Sequence, residues 1–259
     1  MPQRAQPDPA GASTRRLRVA RGEGTGAVQY HAYDVPQTRR TTVLDGLLHI
    51  QRHLDRTLIF RYACRAAMCG TCGVRVNGVE RLACSTRLSV VPGRDVVVEP
   101  LRHLPLIRDL MVDFAPFFDA WRAVKPSFMP TPALQATSEH TPGPAAIAPD
   151  SRERRIIDRH RECISCGICF SACDMVSLSP GFLGPAAINR SFCLITDSRD
   201  RGRDERLDVL NRESGCWRCH THTTCSELCP KGLDPTLAIE EVKRILAART
   251  LQKALRGHR

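Results

Sequence analysis

Long apolar runs are missing from this 259-residue chain. Stretches such as residues 96–98, three valines, fall far short of the roughly 20 residues a helix needs to cross a bilayer. Residues 1–26 lack the apolar core of a secretory signal, and their arginines are interrupted by Pro2, Pro7, Asp8 and Pro9, so a cleaved organelle leader is not expected. Lysine is scarce, present only at Lys125, Lys231, Lys243 and Lys253, and the net charge of +11 therefore rests on arginine. Those arginines are scattered. No basic helix with interleaved aromatics and no helix-turn-helix is visible, which argues against a nucleic-acid reader and for a solvated basic surface near an anionic membrane.

Cysteine is the residue in excess. The 13 cysteines are odd in number, clustered, and absent from the C-terminal helical stretch, a pattern of metal ligands in a reducing compartment and not of disulfides. Cys163, Cys166, Cys169 and Cys173 have the spacing C-x2-C-x2-C-x3-C of bacterial-type ferredoxins, in which the fourth cysteine ligates a second cluster. Such a run is incomplete alone. A second run supplies Cys219, Cys225 and Cys229-Pro230 in the same register, with His222 at the position of its missing cysteine. Cys163, Cys166, Cys169 and Cys229 then provide four thiolates, enough for a 4Fe-4S cluster. Cys173, Cys219 and Cys225 provide three, which suits a 3Fe-4S centre. Imidazole can also bind iron, so His222 leaves a fourth ligand open. Cys193 and Cys216 remain over and read as small buried thiols.

The N-terminal half opens with two strands, near residues 17–20 and 27–34, joined through Gly22, Gly24 and Gly26. Val43, Leu44, Leu47, Leu48, Ile50 and Leu54 then recur at helical spacing within residues 42–55. Next come Cys64, Cys69 and Cys72 in the spacing C-x4-C-x2-C, followed by Cys84, the plant-type pattern for a 2Fe-2S cluster. Zinc sites more often pair C-x2-C units. Gly70 and Gly73 let the loop turn N–H groups toward sulfur. Asn77-Gly78 is a type I′ hairpin pair between residues 74–76 and 80–83, and residues 95–99 form a last strand. Residues 101–113 read as a connection with a short helix. Phe114, Phe117, Phe118 and Trp121 are expected to pack between domains, and the prolines of residues 126–149 mark a linker.

In the C-terminal half, residues 152–161 form a basic helical lead-in, residues 184–188 and 204–210 further helices, and Asp234-Pro235 an N-cap with proline at the first helical position. The expected fold is α+β: a plant-type 2Fe-2S ferredoxin domain of β-grasp type over residues 15–105, a connecting helix and linker over 106–150, and an all-α bacterial-type ferredoxin domain over 151–250.

The motifs CRAAMCGTCGVRVNG with Cys84, ECISCGICFSAC, FLGPAAI, DSRD and CHTHTTCSELCPKGLDP together resemble the iron-sulfur subunit of succinate dehydrogenase and fumarate reductase. The resemblance implies Cys64, Cys69, Cys72 and Cys84 around 2Fe-2S, Cys163, Cys166, Cys169 and Cys229 around 4Fe-4S, and Cys173, Cys219 and Cys225 around 3Fe-4S. It further implies a flavoprotein partner with FAD, a membrane anchor with quinone, and a peripheral place on the cytoplasmic face of a bacterial inner membrane, with the matrix side of the mitochondrial inner membrane as alternative. Electron transfer from succinate to quinone is the first expectation and fumarate reduction the alternative; a redox-sensing nucleic-acid binder is disfavoured. His220, beside Cys219, matches a family histidine near quinone or haem, and His222 and Asp174 are expected to be quinone-proximal with it. Two departures weaken the quinone pocket: Asp174 replaces the usual proline after Cys173, and residues 176–178 carry no tryptophan.

Overall fold

The computed structural model describes residues 13–131 and 146–256. The middle of the proline-rich linker and the first half of the arginine-rich N-terminal stretch lie outside the described residues. The fold is α+β in two compact units, one built from residues up to Leu101 plus Pro105–Asp113, the other from Arg102–Leu104 and residues from Phe114 onward.

The first unit is a five-stranded mixed sheet under one helix. Its strands are β1 (Ser13–Arg21), β2 (Gln29–Gln37), β3 (Gly73–Val76), β4 (Val79–Leu82) and β5 (Asp95–Glu99), in the order β2-β1-β5-β3-β4. β1 and β5 run parallel and the other pairs antiparallel. The period-two pattern explains the register: Leu17 and Val19, Val74 and Val76, and Val96 and Val98 all point to the buried face. The hairpin between β3 and β4 turns at Asn77 and Gly78, with φ of 49° and 80°, as a type I′ turn requires.

Helix α1 (Val43–His49) covers that face. Thr42 caps it, accepting from Asp45 N at 3.1 Å while the Asp45 carboxylate accepts from Thr42 N at 3.0 Å, a capping box. The helix loosens into a π-type turn at Ile50–Leu54, closed by Asp55 N donating to Ile50 O at 2.7 Å. Leu44, Leu47 and Ile50 are essentially inaccessible, each contributing about 1.5–3 kcal/mol of transfer free energy. Gly46 lies so close to the sheet that a Cβ would stand 2.9 Å from Leu17 Cδ2.

Residues 101–113 do not form the expected helix. They carry a small antiparallel pair, β6 (Leu106–Arg108) and β7 (Met111–Val112), and residues 106–113, assigned above to the connection, belong to the first unit. The cause is Asp109, held at φ 54°. Its carboxylate accepts from Gly22 N at 3.2 Å, Ile59 N at 3.0 Å and Arg21 Nε at 3.0 Å, contacts available only from a tight turn. Arg21 also donates to Tyr33, to Thr57 and to Asp55, so this node fixes residues 55–59, the entry to the first cysteine loop. Hydrogen bonds from Thr57 first, then from Tyr33 and Arg21, hold the Asp55 carboxyl far below the usual carboxylate range.

The second unit is helical: α2 (Ala115–Ala123), α3 (Arg152–His160), α4 (Ile168–Ser171), α5 (Met175–Leu178), α6 (Gly184–Thr196), α7 (Arg203–Leu210), α8 (Thr224–Glu227) and α9 (Pro235–Arg256). From Gly184 to Ile195, α6 is buried at every residue except Arg190, marking it as the central helix. Ile188, Phe192 and Ile195 meet Leu207 and Leu210 of α7 and Ile239, Val242 and Leu246 of α9 in one apolar core. Asp234 caps α9 by accepting from Leu237 N at 3.0 Å.

Candidate iron-sulfur cluster sites

In the first unit, the loop from Cys64 to Cys72 has no regular structure, and its backbone N–H groups point at sulfur. Ala66, Met68 and Cys69 donate to Cys64 Sγ at 3.4, 3.3 and 3.3 Å, Cys64 N to Cys69 Sγ at 3.5 Å, and Ala67 N to Cys84 Sγ at 3.3 Å. The last bond links the loop to the cysteine that follows β4. Such inward-facing amides require left-handed backbone, found at Arg65 (59°), Ala67 (55°) and Gly70 (73°). For Arg65 and Ala67 this costs about 1–2 kcal/mol each, strain of the kind that persists at functional sites. Thr71 Oγ1 lies 3.1 Å from Cys69 Sγ. That hydroxyl, with the adjacent amides, brings the Cys69 thiol down to about 6, whereas burial pushes Cys72 up to about 12. An array of donors around sulfur suits an anionic cluster.

The second unit has two cysteine-lined cavities. Cys163, Cys166, Cys169 and Cys229 share the first, of about 410 Å³ including its mouth, with an otherwise mainly apolar lining that includes Phe117, Ala186 and Leu233. Cys173, Cys219 and Cys225 share the second, of about 480 Å³, lined also by Met175, Phe182 and Ile239. The two runs are therefore crossed. Cys173 leaves the company of its own run for the second cavity, and Cys229 leaves its run for the first.

Apolar walls raise the thiols. Burial pushes Cys166 up to about 12, Cys173 up to about 11, and Cys163, Cys169 and Cys225 upward as well. Charged thiolates in such walls require a cationic partner, which iron supplies. Among the described residues, no three His, Cys, Asp or Glu side chains converge as ligands of a single metal ion. The donor sets fit iron-sulfur clusters, four thiolates in one cavity and three in the other.

The second cavity carries a polar rim. His220 and His222 are exposed and line it with Asp174, their ring centroids 6.3 Å apart. Asp174 lies 3.4 Å from Arg102 Nη1. Thr221 N donates to Cys219 Sγ at 3.4 Å, Thr236 Oγ1 stands 3.3 Å from Cys225 Sγ, and Lys243 Nζ holds Cys219 O at 2.7 Å. Leu178 and Trp217 are nearby in sequence and exposed.

Several contributors escaped the sequence reading. Phe117, expected to pack between domains, lies against Phe170 and lines the four-cysteine cavity. Thr71 and Thr236 contact cysteine sulfur without any motif to mark them. Cys193 and Cys216 are buried and line neither cavity.

A family model described as a 2Fe-2S iron-sulfur cluster binding domain matches residues 16–119, and one described as a 4Fe-4S dicluster domain matches residues 159–233. The fumarate reductase iron-sulfur subunit of Mycobacterium tuberculosis is 42% identical over 91% of this chain and 93% of its own length. That of Haemophilus influenzae is 38% identical over 82% and 84%. Among solved structures, a chain of the Mycobacterium smegmatis Sdh1 complex in the apo form superposes with a TM-score of 0.81 at 28% identity, covering 92% of this chain and 98% of that one.

Proposed function

Because the chain belongs to the family of fumarate reductase and succinate dehydrogenase iron-sulfur subunits, we propose that its three cysteine sets form a single-electron relay between a flavoprotein's FAD and membrane quinone. Cys64, Cys69, Cys72 and Cys84 hold 2Fe-2S; Cys163, Cys166, Cys169 and Cys229 hold 4Fe-4S; Cys173, Cys219 and Cys225 hold 3Fe-4S. The clusters supply one-electron redox steps, which divide a two-electron flavin reaction. The chain itself transforms no substrate.

What its residues do is hold and tune. Amides from Ala66 to Cys69 donate toward sulfur and favour the more negative reduced state. Phe117, Ala186 and Leu233 keep the four-thiolate cavity dry. His220, His222 and Asp174 give the three-thiolate cavity a polar mouth, where quinone and a membrane anchor would meet the chain. Among the described residues no helix is long and apolar enough to cross a membrane; the anchor proposed is a partner subunit, as the family implies, and the place proposed is the cytoplasmic face of a bacterial inner membrane.

The observation that carries this reading is the crossing of Cys173 and Cys229, which gives the helical unit one four-thiolate and one three-thiolate cavity, the donor sets of two different clusters. Succinate oxidation is the direction proposed; the fumarate reductase names of the relatives favour the reverse as second reading. Anaerobic purification of the native complex tests both. A covalent flavoprotein and a membrane anchor should co-purify, and succinate should reduce the clusters. Reduction only by quinol, with reoxidation by fumarate, would support the second direction. A chain isolated without a flavoprotein would contradict both.

A further inference from the structure

The loop around His222 repeats the backbone of the loop around Cys166. In the first run Ser165 (φ 54°) and Gly167 (φ 74°) flank Cys166, and in the second Thr221 (φ 58°) and Thr223 (φ 62°) flank His222. Threonine is β-branched, and at positive φ it is a genuine outlier. Two such residues around one histidine mark strain held for a purpose. The register agrees: laid on Cys163, Cys166, Cys169 and Cys173, the second run reads Cys219, His222, Cys225 and Cys229. His222 therefore stands where the first cavity has a cysteine ligand, in the same backbone conformation, and it lines the cavity of Cys173, Cys219 and Cys225.

We propose that His222 is the ligand for a fourth metal ion at the open corner of this cavity, so that the site interconverts between a three-iron and a four-iron cluster. The proposal rests on the reading of Cys173, Cys219 and Cys225 as an iron-sulfur site. Imidazole is an accepted iron ligand, including in iron-sulfur centres. His222 is exposed, which gives an incoming ion a path from solvent.

The exchange balances. A neutral, reduced three-iron core takes up one ferrous ion, which loses coordinated water and forms bonds to three bridging sulfides and to one unprotonated imidazole nitrogen. No electron moves, and the product is a dicationic four-iron core. Removal of one electron by an added oxidant such as ferricyanide breaks the same bonds, returns the ferrous ion to solvent and leaves a monocationic three-iron core. Ferrous ion supply and redox poise thus set which cluster ends the relay.

The test uses the intact complex, reduced with dithionite, incubated anaerobically with isotopically enriched ferrous ion, desalted and examined by EPR and Mössbauer spectroscopy. The wild type should gain about one iron per chain, lose most of its three-iron EPR signal and recover it with ferricyanide. His222→Ala should keep the three-iron signal and gain no iron, while His222→Cys should hold four irons at this site without added ion. The 2Fe-2S spectrum in each sample reports that the chain is folded. Uptake by His222→Ala equal to wild type, or a wild type that takes up no iron and shows only a three-iron centre, would overturn the proposal. A complex with its first two centres intact and neither three-iron nor second four-iron spectrum would instead overturn the cluster reading of the cavity, and the proposal with it.

Discussion

Arg206 and Asp200 meet wholly inside the helical unit. Arg206 Nη1 lies 2.6 Å from Asp200 Oδ1 and Nη2 lies 3.2 Å from Oδ2, with both side chains fully inaccessible to solvent. Arg206 also donates to Lys125 O at 3.1 Å and Ser127 O at 2.8 Å, and Asp200 accepts from Met129 N at 3.0 Å and Gly202 N at 2.7 Å. The pair therefore fastens residues 125–129 to the segment that precedes α7. Removing one partner leaves a buried charge with no counter-ion, at a cost of about 3–5 kcal/mol. Asp200→Ala should lose that much in chemical denaturation, and the double variant Asp200→Leu/Arg206→Met should lose less. Equal losses would show that the pair is more than compensated charge.

Thr71 adjusts the first cluster. Its hydroxyl faces Cys69 Sγ at 3.1 Å, and a donor to sulfur is worth more when the cluster carries the extra electron. If that difference is about 1 kcal/mol, one-electron arithmetic gives a shift of about 40 mV. Thr71→Val should lower the midpoint potential of the 2Fe-2S centre by about that amount in a redox titration read by EPR. An unchanged or raised potential would remove Thr71 from the tuning role.

His160 makes the helical unit acid-sensitive. It is buried against Phe192, with its ring Nδ1 2.7 Å from Asn189 Oδ1 and its carbonyl accepting from Asn189 Nδ2 at 2.9 Å. Because the Asn189 amide nitrogen is committed to the carbonyl, Asn189 Oδ1 faces the ring and Nδ1 carries a proton. Burial lowers its pKa, with the Asn189 hydrogen bond and Asp234 opposing and Arg159 assisting. The folded pKa is thus below the unfolded value of about 6.5. Above that pH both states are neutral and no stability is lost. As pH falls below it, the unfolded chain binds a proton that the folded chain refuses, and stability declines by up to about 1.4 kcal/mol per pH unit until the folded pKa is reached. His160→Gln should flatten this decline in denaturation midpoints measured from about pH 7 downward. A slope that survives the substitution would assign it to other groups.

Much of the site was legible in the cysteine spacing because ligand spacing is local chemistry. Thiolates two or three residues apart must share one turn of backbone, and the Asn77-Gly78 turn and the Asp234-Pro235 cap are equally local. What stayed hidden depends on distant partners. The β6–β7 pair is too short to show strand periodicity, and it exists because Asp109 reaches Arg21, Gly22 and Ile59. Phe117 sits in an aromatic group whose spacing says helix but does not say that one ring lines a cavity. The DSRD motif was visible, yet nothing in it shows that Asp200 would bury against Arg206. The left-handed turns at Thr221 and Thr223 contradict threonine's own preference and are visible only in the backbone.

The crossing of Cys173 and Cys229 is the centre of the account, and paired substitution tests it most directly. EPR of the anaerobically purified complex would be compared among wild type, Cys229→Ser and Cys173→Ser. Cys229→Ser should alter or abolish the 4Fe-4S spectrum and spare the 3Fe-4S signal, while Cys173→Ser should do the reverse, with the 2Fe-2S signal unchanged in both. If Cys229→Ser instead abolished the three-iron signal and left the four-iron spectrum intact, each run would hold its own cluster, and the relay described here would be wrong.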